Sequence, residues 1–288
     1  MSRVSVIVPT HNRAASLREH VERVMTQTYS DYEVIYVNDS STDDTSAILA
    51  ECAFRYADRL RVVNANCGAP GPARNAGASV ARGELLLFTD DDVAVPNNWV
   101  EKMVECFKRH GGAAVCGGIA PAAMRSDIER YLHYRILGSL GKAAGKIHAA
   151  PMMNFIVSRD AFNKVGGFLD APLRAAEDWE LCRRLRDSGV EIFFDPGVEV
   201  EHNYQSEMGP AQRRMREAGA AGVYIWLQHH RGAFLYTMYS LVRCVLSPFW
   251  IPFRYPMNLY ALAVHMEYIF AEARLIAYLR HLNGKPIV

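Results

Sequence analysis

The chain has 288 residues, half of them hydrophobic, and a formal net charge of +1. That length and apolar content exclude a disordered segment and allow one large domain or a domain with an appendage. Six cysteines (Cys52, Cys67, Cys106, Cys116, Cys182, Cys244) are scattered without close pairs, which excludes metal-knuckle and redox spacings and predicts a reduced, cytoplasmic protein. The chain opens on Arg3-Val4-Ser5-Val6-Ile7-Val8-Pro9, a strand in place of a charged leader with an apolar stretch and cleavage site, so no secretory signal is expected.

Residues 4–8 are a short β-branched run. Leu17, Val21, Val24 and Met25 then recur at helical spacing, with Asn12 as the expected cap. A second strand, residues 33–37, runs into Asn38-Asp39. A carboxylate there can accept a hydrogen bond from a base N–H or a ribose hydroxyl, or it can form an Asx turn into Ser40-Ser41-Thr42. Asp43 or Thr42 should cap a helix carrying Ile48, Leu49 and Cys52, ahead of a strand at residues 60–63. The stretch Gly68-Ala69-Pro70-Gly71-Pro72-Ala73-Arg74-Asn75-Ala76-Gly77 combines loop residues with a helix start. Its backbone N–H groups and Arg74 could meet a diphosphate, although it has neither the Lys-Ser/Thr ending of a P-loop nor the dinucleotide glycine pattern.

Gly83-Glu84-Leu85-Leu86-Leu87-Phe88 then leads into Thr89-Asp90-Asp91-Asp92, an apolar strand ending in three acids. Open α/β sheets bind ligands at that carboxyl edge. Neighbouring carboxylates repel unless a cation neutralises them, and hard oxygen ligands suit Mg²⁺ or Mn²⁺ that also contacts phosphate. The alternative is a solvated acidic loop before the helix at residues 97–110. A strand at 113–115, a helix at 127–137 and strands at 153–157 and 191–194 complete the alternation. Alternating strands and helices predict an α/β fold with a mostly parallel central sheet. In Glu177-Asp178-Trp179-Glu180-Leu181-Cys182-Arg183-Arg184-Leu185, Asp178 heads the stripe of Leu181, Cys182 and Leu185, while Glu180 and Arg183 should face elsewhere. An inward carboxylate at a positive helix end can serve as a base; the alternative is a helix-dipole acid paired with Arg183 or Arg184.

Val4-Ser5-Val6-Ile7-Val8-Pro9-Thr10-His11-Asn12-Arg13, Val37-Asn38-Asp39-Ser40-Ser41-Thr42-Asp43, Ala73-Arg74-Asn75-Ala76-Gly77, Asp90-Asp91-Asp92, Gly166-Gly167-Phe168 and Glu177-Asp178-Trp179 stand in this order. The series resembles family 2 of the nucleotide-sugar glycosyltransferases over roughly residues 3 to 204. The resemblance implies a GT-A fold and inverting sugar transfer from a nucleotide diphosphate, typically of uridine. It implies that Pro9, Thr10, Asn12 and Arg13 line the nucleotide pocket, that Asp39 contacts the base, and that Arg74 and Asn75 lie near the donor. Of the acidic triad, Asp90 and Asp91 fall near ribose and sugar, and Asp92 is the direct Mg²⁺ or Mn²⁺ ligand, with Asp90 beside it. Asp178 becomes the general base, with Glu177 in support. Gly197-Val198-Glu199-Val200-Glu201-His202 resembles the family's late strand ending in a histidine that approaches metal or diphosphate, and Asn154 falls where donor sugar and acceptor meet.

The tail stands outside this pattern. Residues 209 to 288 hold nine Lys or Arg against three acids, and residues 1 to 208 hold 23 against 28. The charge step divides a catalytic region, 1–208, from a basic, aromatic-rich helical region, 209–288. Residues 232–242 carry no charge, Arg243 interrupts, and residues 244–253 contain Pro248 and Pro252. Each run is shorter than the roughly 18 apolar residues of a spanning helix. Trp226, Phe234, Tyr236, Tyr239, Phe249 and Trp250 either pack against protein or enter a membrane interface, with Arg213, Arg214, Arg216, Arg231, Arg243 and Arg254 meeting anionic lipid. The expected partners are a nucleotide-sugar donor, a carbohydrate or lipid-linked acceptor, and peripheral contact at the cytoplasmic face of a membrane. No nucleic acid is expected, because the basic excess sits on an apolar tail without a reading motif. A sugar-phosphate nucleotidyltransferase or a non-catalytic nucleotide-sugar-binding module are the alternatives. The first lacks the basic, glycine-rich early loop that a triphosphate needs.

Overall fold

The computed structural model describes residues 3–141, 143–229 and 233–287. The chain divides into two units. One comprises Met1–Ala122, Ser139–Pro172 and Asp178–Asn203; the other comprises Ala123–Gly138, Leu173–Glu177 and Tyr204–Val288. The last crossing thus falls a few residues before the charge step at 208, and the second unit also claims two earlier pieces of chain.

The first unit is built on a sheet whose order is β3-β2-β1-β4-β8-β6-β9-β5, with β7 also on β9. Its first half is the expected alternation: β1 (Val4–Thr10), α1 (Leu17–Met25), β2 (Tyr32–Asp39), α2 (Thr45–Arg55), β3 (Leu60–Ala65), α3 (Pro70–Val80) and β4 (Leu85–Phe88). These four strands are mutually parallel, and β1 and β2 are near-continuous apolar runs because helices cover both faces. In the other half, β5 (Val93–Ala94), β6 (Ala114–Pro121), β7 (Gly145–Lys146), β8 (Phe155–Ser158) and β9 (Ile192–His202) pair antiparallel except for β6 with β9. The long pairings are thus parallel, as expected of a mostly parallel sheet, and the antiparallel additions at β5, β7 and β8 are short. α4 (Trp99–Arg109) precedes β6, α6 (Arg159–Lys164) follows β8, and α7 (Glu177–Asp187) precedes β9.

Two local expectations fail for identifiable reasons. Asn12 does not cap α1, which begins at Leu17; it sits at φ 53 in the preceding loop. Met153 and Asn154 belong to a 3₁₀ turn, Met152–Asn154, so β8 begins only at Phe155. Asp43 does support the start of α2, accepting from the backbone N–H groups of Thr45 and Ala14, each at 3.0 Å.

β6 and β9 change register at Gly117/Gly118, and the bulge leaves no room for a side chain. A Cβ at Gly117 would stand 2.1 Å from Asn154 Nδ2 and 2.4 Å from the Val198 carbonyl oxygen. Gly117→Ala should therefore cost roughly 3 kcal/mol through overpacking and a lost buried hydrogen bond. Chemical denaturation checks this, and a cost below about 1 kcal/mol would mean that the bulge can relax.

The second unit is helical: α5 (Asp127–Leu140), α8 (Met208–His229), α9 (Ala233–Val245), α10 (Ser247–Arg254) and α11 (Tyr260–Leu282). Tyr131, Met215, Ile251, Leu259, Ala263 and Met266 form its buried core, and Tyr131 stacks on Tyr255 at 5.3 Å. Of the tail aromatics, Trp226 stacks on Tyr236 at 4.6 Å, and Trp250 packs against the core. Phe234, Tyr239 and Phe249 remain exposed. Arg231 and Gly232 lie outside the described residues. No single helix among the described residues is long and apolar enough to cross a membrane. The segments Phe234–Val245 and Ser247–Arg254 reach that length and composition only together, across a 77° bend.

Candidate active site

Register places the decisive side chains on one edge of the first unit. Thr10 at the end of β1 lies opposite Asn38 in β2, and Ile7 lies opposite Phe88 at the end of β4. The chain leaving each strand therefore delivers Thr10 to Arg13, Asp39, and Asp90 to Asp92 side by side. β5 then pairs Val93 with His202 of β9. That short pairing brings a residue from the far end of the unit to Asp92, with His202 Nε2 lying 3.4 Å from Asp92 Oδ1.

The three acids have distinct surroundings. Asp90 Oδ1 accepts from Arg74 Nη2 at 2.6 Å, and the buried Arg74 guanidinium also lies over the Phe168 ring at 5.6 Å. Asp92 Oδ2 accepts from Arg13 Nη2 at 2.9 Å. Asp91 points into the protein: Thr10 Oγ1 donates to its Oδ2 at 2.6 Å and Arg13 Nε to its Oδ1 at 2.8 Å. Burial pushes the Asp91 carboxyl up to about 7 against the pull of Arg13. The same contacts hold Arg13 above its ordinary range, Asp91 and Asp92 outweighing the effect of its burial. Asp91 and the buried Thr10 thus brace the first loop from below, where the resemblance had placed both among the donor contacts.

That loop is also tied to its neighbour. Asn12 Oδ1 accepts from the Thr42 N–H at 2.7 Å, its own N–H donates to Ser41 Oγ at 3.0 Å, and His11 Nδ1 lies 2.7 Å from the Asp39 carbonyl. Asp39 Oδ1 accepts from the backbone N–H groups of Cys67 and Gly68 at 2.6 and 3.2 Å. The Asx-turn alternative for Asp39 gives way to this link with the loop after β3. Ser40, beside it, is held at φ 58. Of the backbone-donating partners, Cys67 carried no sequence signal as a site residue, because its contribution is main-chain N–H, and the Gly68 N–H, which the sequence offered to a diphosphate, is given to Asp39.

Two further candidate site residues are engaged within the protein. Asn154 is fully buried, and three of its four hydrogen-bonding directions are used within the protein. It donates to the carbonyls of Gly118 and Val198 at 3.0 and 2.9 Å and accepts from Trp99 Nε1 at 2.9 Å. It ties the 3₁₀ turn to β6, β9 and α4 and has no exposed surface. Asn75 makes a reciprocal pair with the backbone of Phe168, at 2.8 Å in both directions, and so anchors the Gly166-Gly167-Phe168 turn to α3. Gly167, at φ 68, could take a side chain only by strain, and a Cβ there would come 2.6 Å from Asn75 Oδ1.

Asp178 stands half-buried in the first turn of α7, and its Oδ1 accepts from the Trp179 N–H at 2.8 Å. Ala176, just before the helix, has φ 65, a left-handed conformation that a non-glycine residue holds only where its surroundings require it. After burial and Cys182, the field of Asp178 helps to raise the Cys116 thiol. Glu180, expected to face away, is buried and pairs with Arg184 through both oxygens. Arg184 is therefore engaged by Glu180, and Arg183 lies 3.5 Å from Asp187. Glu177 begins the same helix and is the last residue of its segment of the second unit.

Beneath the edge, the buried His20 of α1 has Nδ1 2.7 Å from Tyr36 Oη. Burial pushes its imidazole down to about 4 from 6.5, against the pull of Asp92. The folded protein therefore holds His20 neutral where the unfolded chain protonates it. Its contribution is fully present above 6.5 and lost as pH falls toward about 4, roughly 3 kcal/mol in all. His20→Gln should flatten the urea-unfolding free energy across that window; an unchanged slope would contradict the assignment.

Comparison with known proteins places the same edge in context. Glycosyltransferase AglE of Haloferax volcanii is 25% identical over 252 residues, covering 85% of this chain and 82% of that protein. Glycosyltransferase GlyG of Streptococcus pneumoniae is 37% identical over 116 residues, 40% of this chain and 38% of its own length. Mannosyltransferase PcManGT from Pyrobaculum calidifontis, solved in complex with GDP-Man and Mn²⁺, aligns with a TM-score of 0.69 at 17% identity, over 95% of this chain and 87% of that one. S. aureus TarS 1-349 in complex with UDP-GlcNAc aligns with a TM-score of 0.55 at 18% identity, over 98% and 92%. These neighbours establish the GT-A fold, with its sheet flanked by helices. The model of Glycosyl transferase family 2 matches residues 5–166, more than half of the chain and nearly all of the edge described above; the chain belongs to glycosyl transferase family 2.

Proposed function

We propose that this glycosyltransferase is metal-dependent and inverting, moving a sugar from a nucleotide diphosphate, most consistent by resemblance with a UDP-sugar, to the hydroxyl of a carbohydrate or lipid-linked acceptor. We place it in the cytoplasm with peripheral contact at the membrane face. The observation that carries this reading is the convergence of Arg13, Asp39, Arg74, Asp90, Asp92 and His202 on one sheet edge, with Asp178 in the same unit.

Asp92 and His202 would hold Mn²⁺ or Mg²⁺. Their oxygen and imidazole donors suit such an ion, and their 3.4 Å approach puts both at one point. No group of three His, Cys, Asp or Glu side chains among the described residues is arranged to hold a metal. That fits an ion carried in part by donor phosphate oxygens, the usual arrangement for Mg²⁺ at nucleotide sites. When bound, the ion would offset charge on the departing diphosphate. Arg74 and Arg13 orient Asp90 and Asp92 toward that edge, and Asp39 is held at the base end of the pocket by backbone N–H groups. Asp178 takes the proton of the acceptor hydroxyl, whose oxygen then attacks the anomeric carbon opposite the leaving group.

The test is thermal shift or calorimetry across a panel of nucleotide sugars, with and without Mn²⁺ or Mg²⁺. One donor should stabilise the protein only with metal, by about 2.7 kcal/mol at roughly a hundredfold excess over Kd. Turnover should release nucleoside diphosphate. Silence across the panel, or pyrophosphate as product, would remove the reading.

A further inference from the structure

The second unit carries an apolar face that its own core does not use. On α9, Leu235, Tyr239 and Val242 are exposed at helical spacing; on α10, Phe249 and Phe253 follow, 74% and 93% exposed. The two helices bend by 77° where they meet, and neither is long enough to cross a bilayer. α10 carries Pro248 in its first turn and Pro252 inside it, a composition suited to a short elbow lying in an interface and not to a spanning rod.

Beside this face the same unit gathers cations with too few anions. Arg135 of α5 and Arg243 of α9 both approach the buried Glu267 of α11, each at 3.9 Å. Arg274, also on α11, donates to hydroxyls, those of Tyr236 and Ser240. The guanidinium groups rest on aromatic rings: Arg243 lies 4.6 Å from the Trp250 centroid and Arg274 4.2 Å from that of Phe270. Burial pushes Arg274 down to about 10. Three cations against one carboxylate leave two positive charges in excess among the described residues, and a half-buried excess of that kind is stabilised by a multivalent oxyanion. A phosphate fits, and the apolar elbow beside it identifies the phosphate as one attached to acyl chains.

We propose that the α9–α10 elbow seats in the headgroup region of an anionic phospholipid bilayer, with its apolar ridge among the upper acyl chains and Arg135, Arg243 and Arg274 holding a lipid phosphate. This deepens the peripheral membrane contact proposed above and rests on it. The tail's nine basic residues against three acids give the charge complementarity that such a surface needs.

Flotation of the full chain with phosphatidylglycerol/phosphatidylcholine vesicles, and with phosphatidylcholine alone, tests the proposal. The parent should partition at least tenfold better onto the anionic vesicles. Phe249→Glu with Phe253→Glu, both outside the core, should lose at least tenfold of that binding, and so should Leu235→Ser with Tyr239→Ser. Arg243→Gln should reduce the preference for anionic over neutral vesicles several-fold. Donor binding, measured on the same variants, should match the parent. Failure of the parent on every vesicle would overturn the membrane reading itself, whereas parental binding that survives both double variants would overturn the elbow alone. Release by inorganic phosphate beyond that by chloride at equal ionic strength would make free phosphate the occupant and overturn the lipid assignment.

Discussion

Replacing Asp178 with Asn should lower kcat by about a thousandfold and leave donor affinity within a few-fold of the parent, because a positioned general base contributes on the order of 10² to 10⁴. The substitution suits the question. Asn retains an oxygen to accept the Trp179 N–H that now bonds Asp178 Oδ1 at 2.8 Å, so the first turn of α7 keeps its geometry. What disappears is the basic lone pair. The acids at the proposed donor edge keep their own ties, with Thr10, Arg13 and Arg74 binding the triad. Donor affinity measured by calorimetry and turnover measured by nucleoside diphosphate release separate the two effects. Parental turnover in the variant would place the base elsewhere.

Asp92→Ala should weaken metal-dependent donor binding by on the order of 100-fold, at the upper end of what support around a metal site commonly contributes. Stability should barely change, because the Asp92 and Arg13 side chains are 24% and 35% exposed and an ion pair of that kind is worth less than about 1 kcal/mol. The discriminating readout is the difference between affinities with and without Mn²⁺. In the parent that difference should be large, and in the variant it should nearly vanish. An unchanged metal dependence would remove Asp92 as a ligand and leave its contact with Arg13 as its role.

The parallel half of the fold was legible because its signals are local. Apolar β-branched runs made β1 and β2, and acids immediately after strands marked the edge. Residues whose meaning depends on distant chain were not legible. Asn154 follows two methionines in a segment that reads as a strand, and only the bulge between β6 and β9 turns it into a buried tie. Pro196 and Gly197 interrupt what is one continuous strand, Ile192–His202, whose irregularity is held by Asp195 Oδ1 accepting from the Gly197 N–H at 2.9 Å. α5 was visible as a helix, but its sequence could not show that residues Ala123–Gly138 group with the tail. Asn12 has the chemistry of a helix cap. Its side chain instead joins two loops, a long-range partnership that composition at one position cannot express.

The inward turn of Asp91 bears on how donor choice could be retuned. Asp90 and Asp92 keep 26% and 24% of their side chains exposed, and Asp91 keeps 8%. Three consecutive identical residues therefore answer to two different selections. On the proposed function, exchange at the outer pair would alter what the edge can hold, and exchange at the middle would alter whether the loop after β1 stands in place at all. A library that randomised all three would lose useful outer combinations to misplacement of Arg13. One that held Asp91 fixed would sample recognition alone.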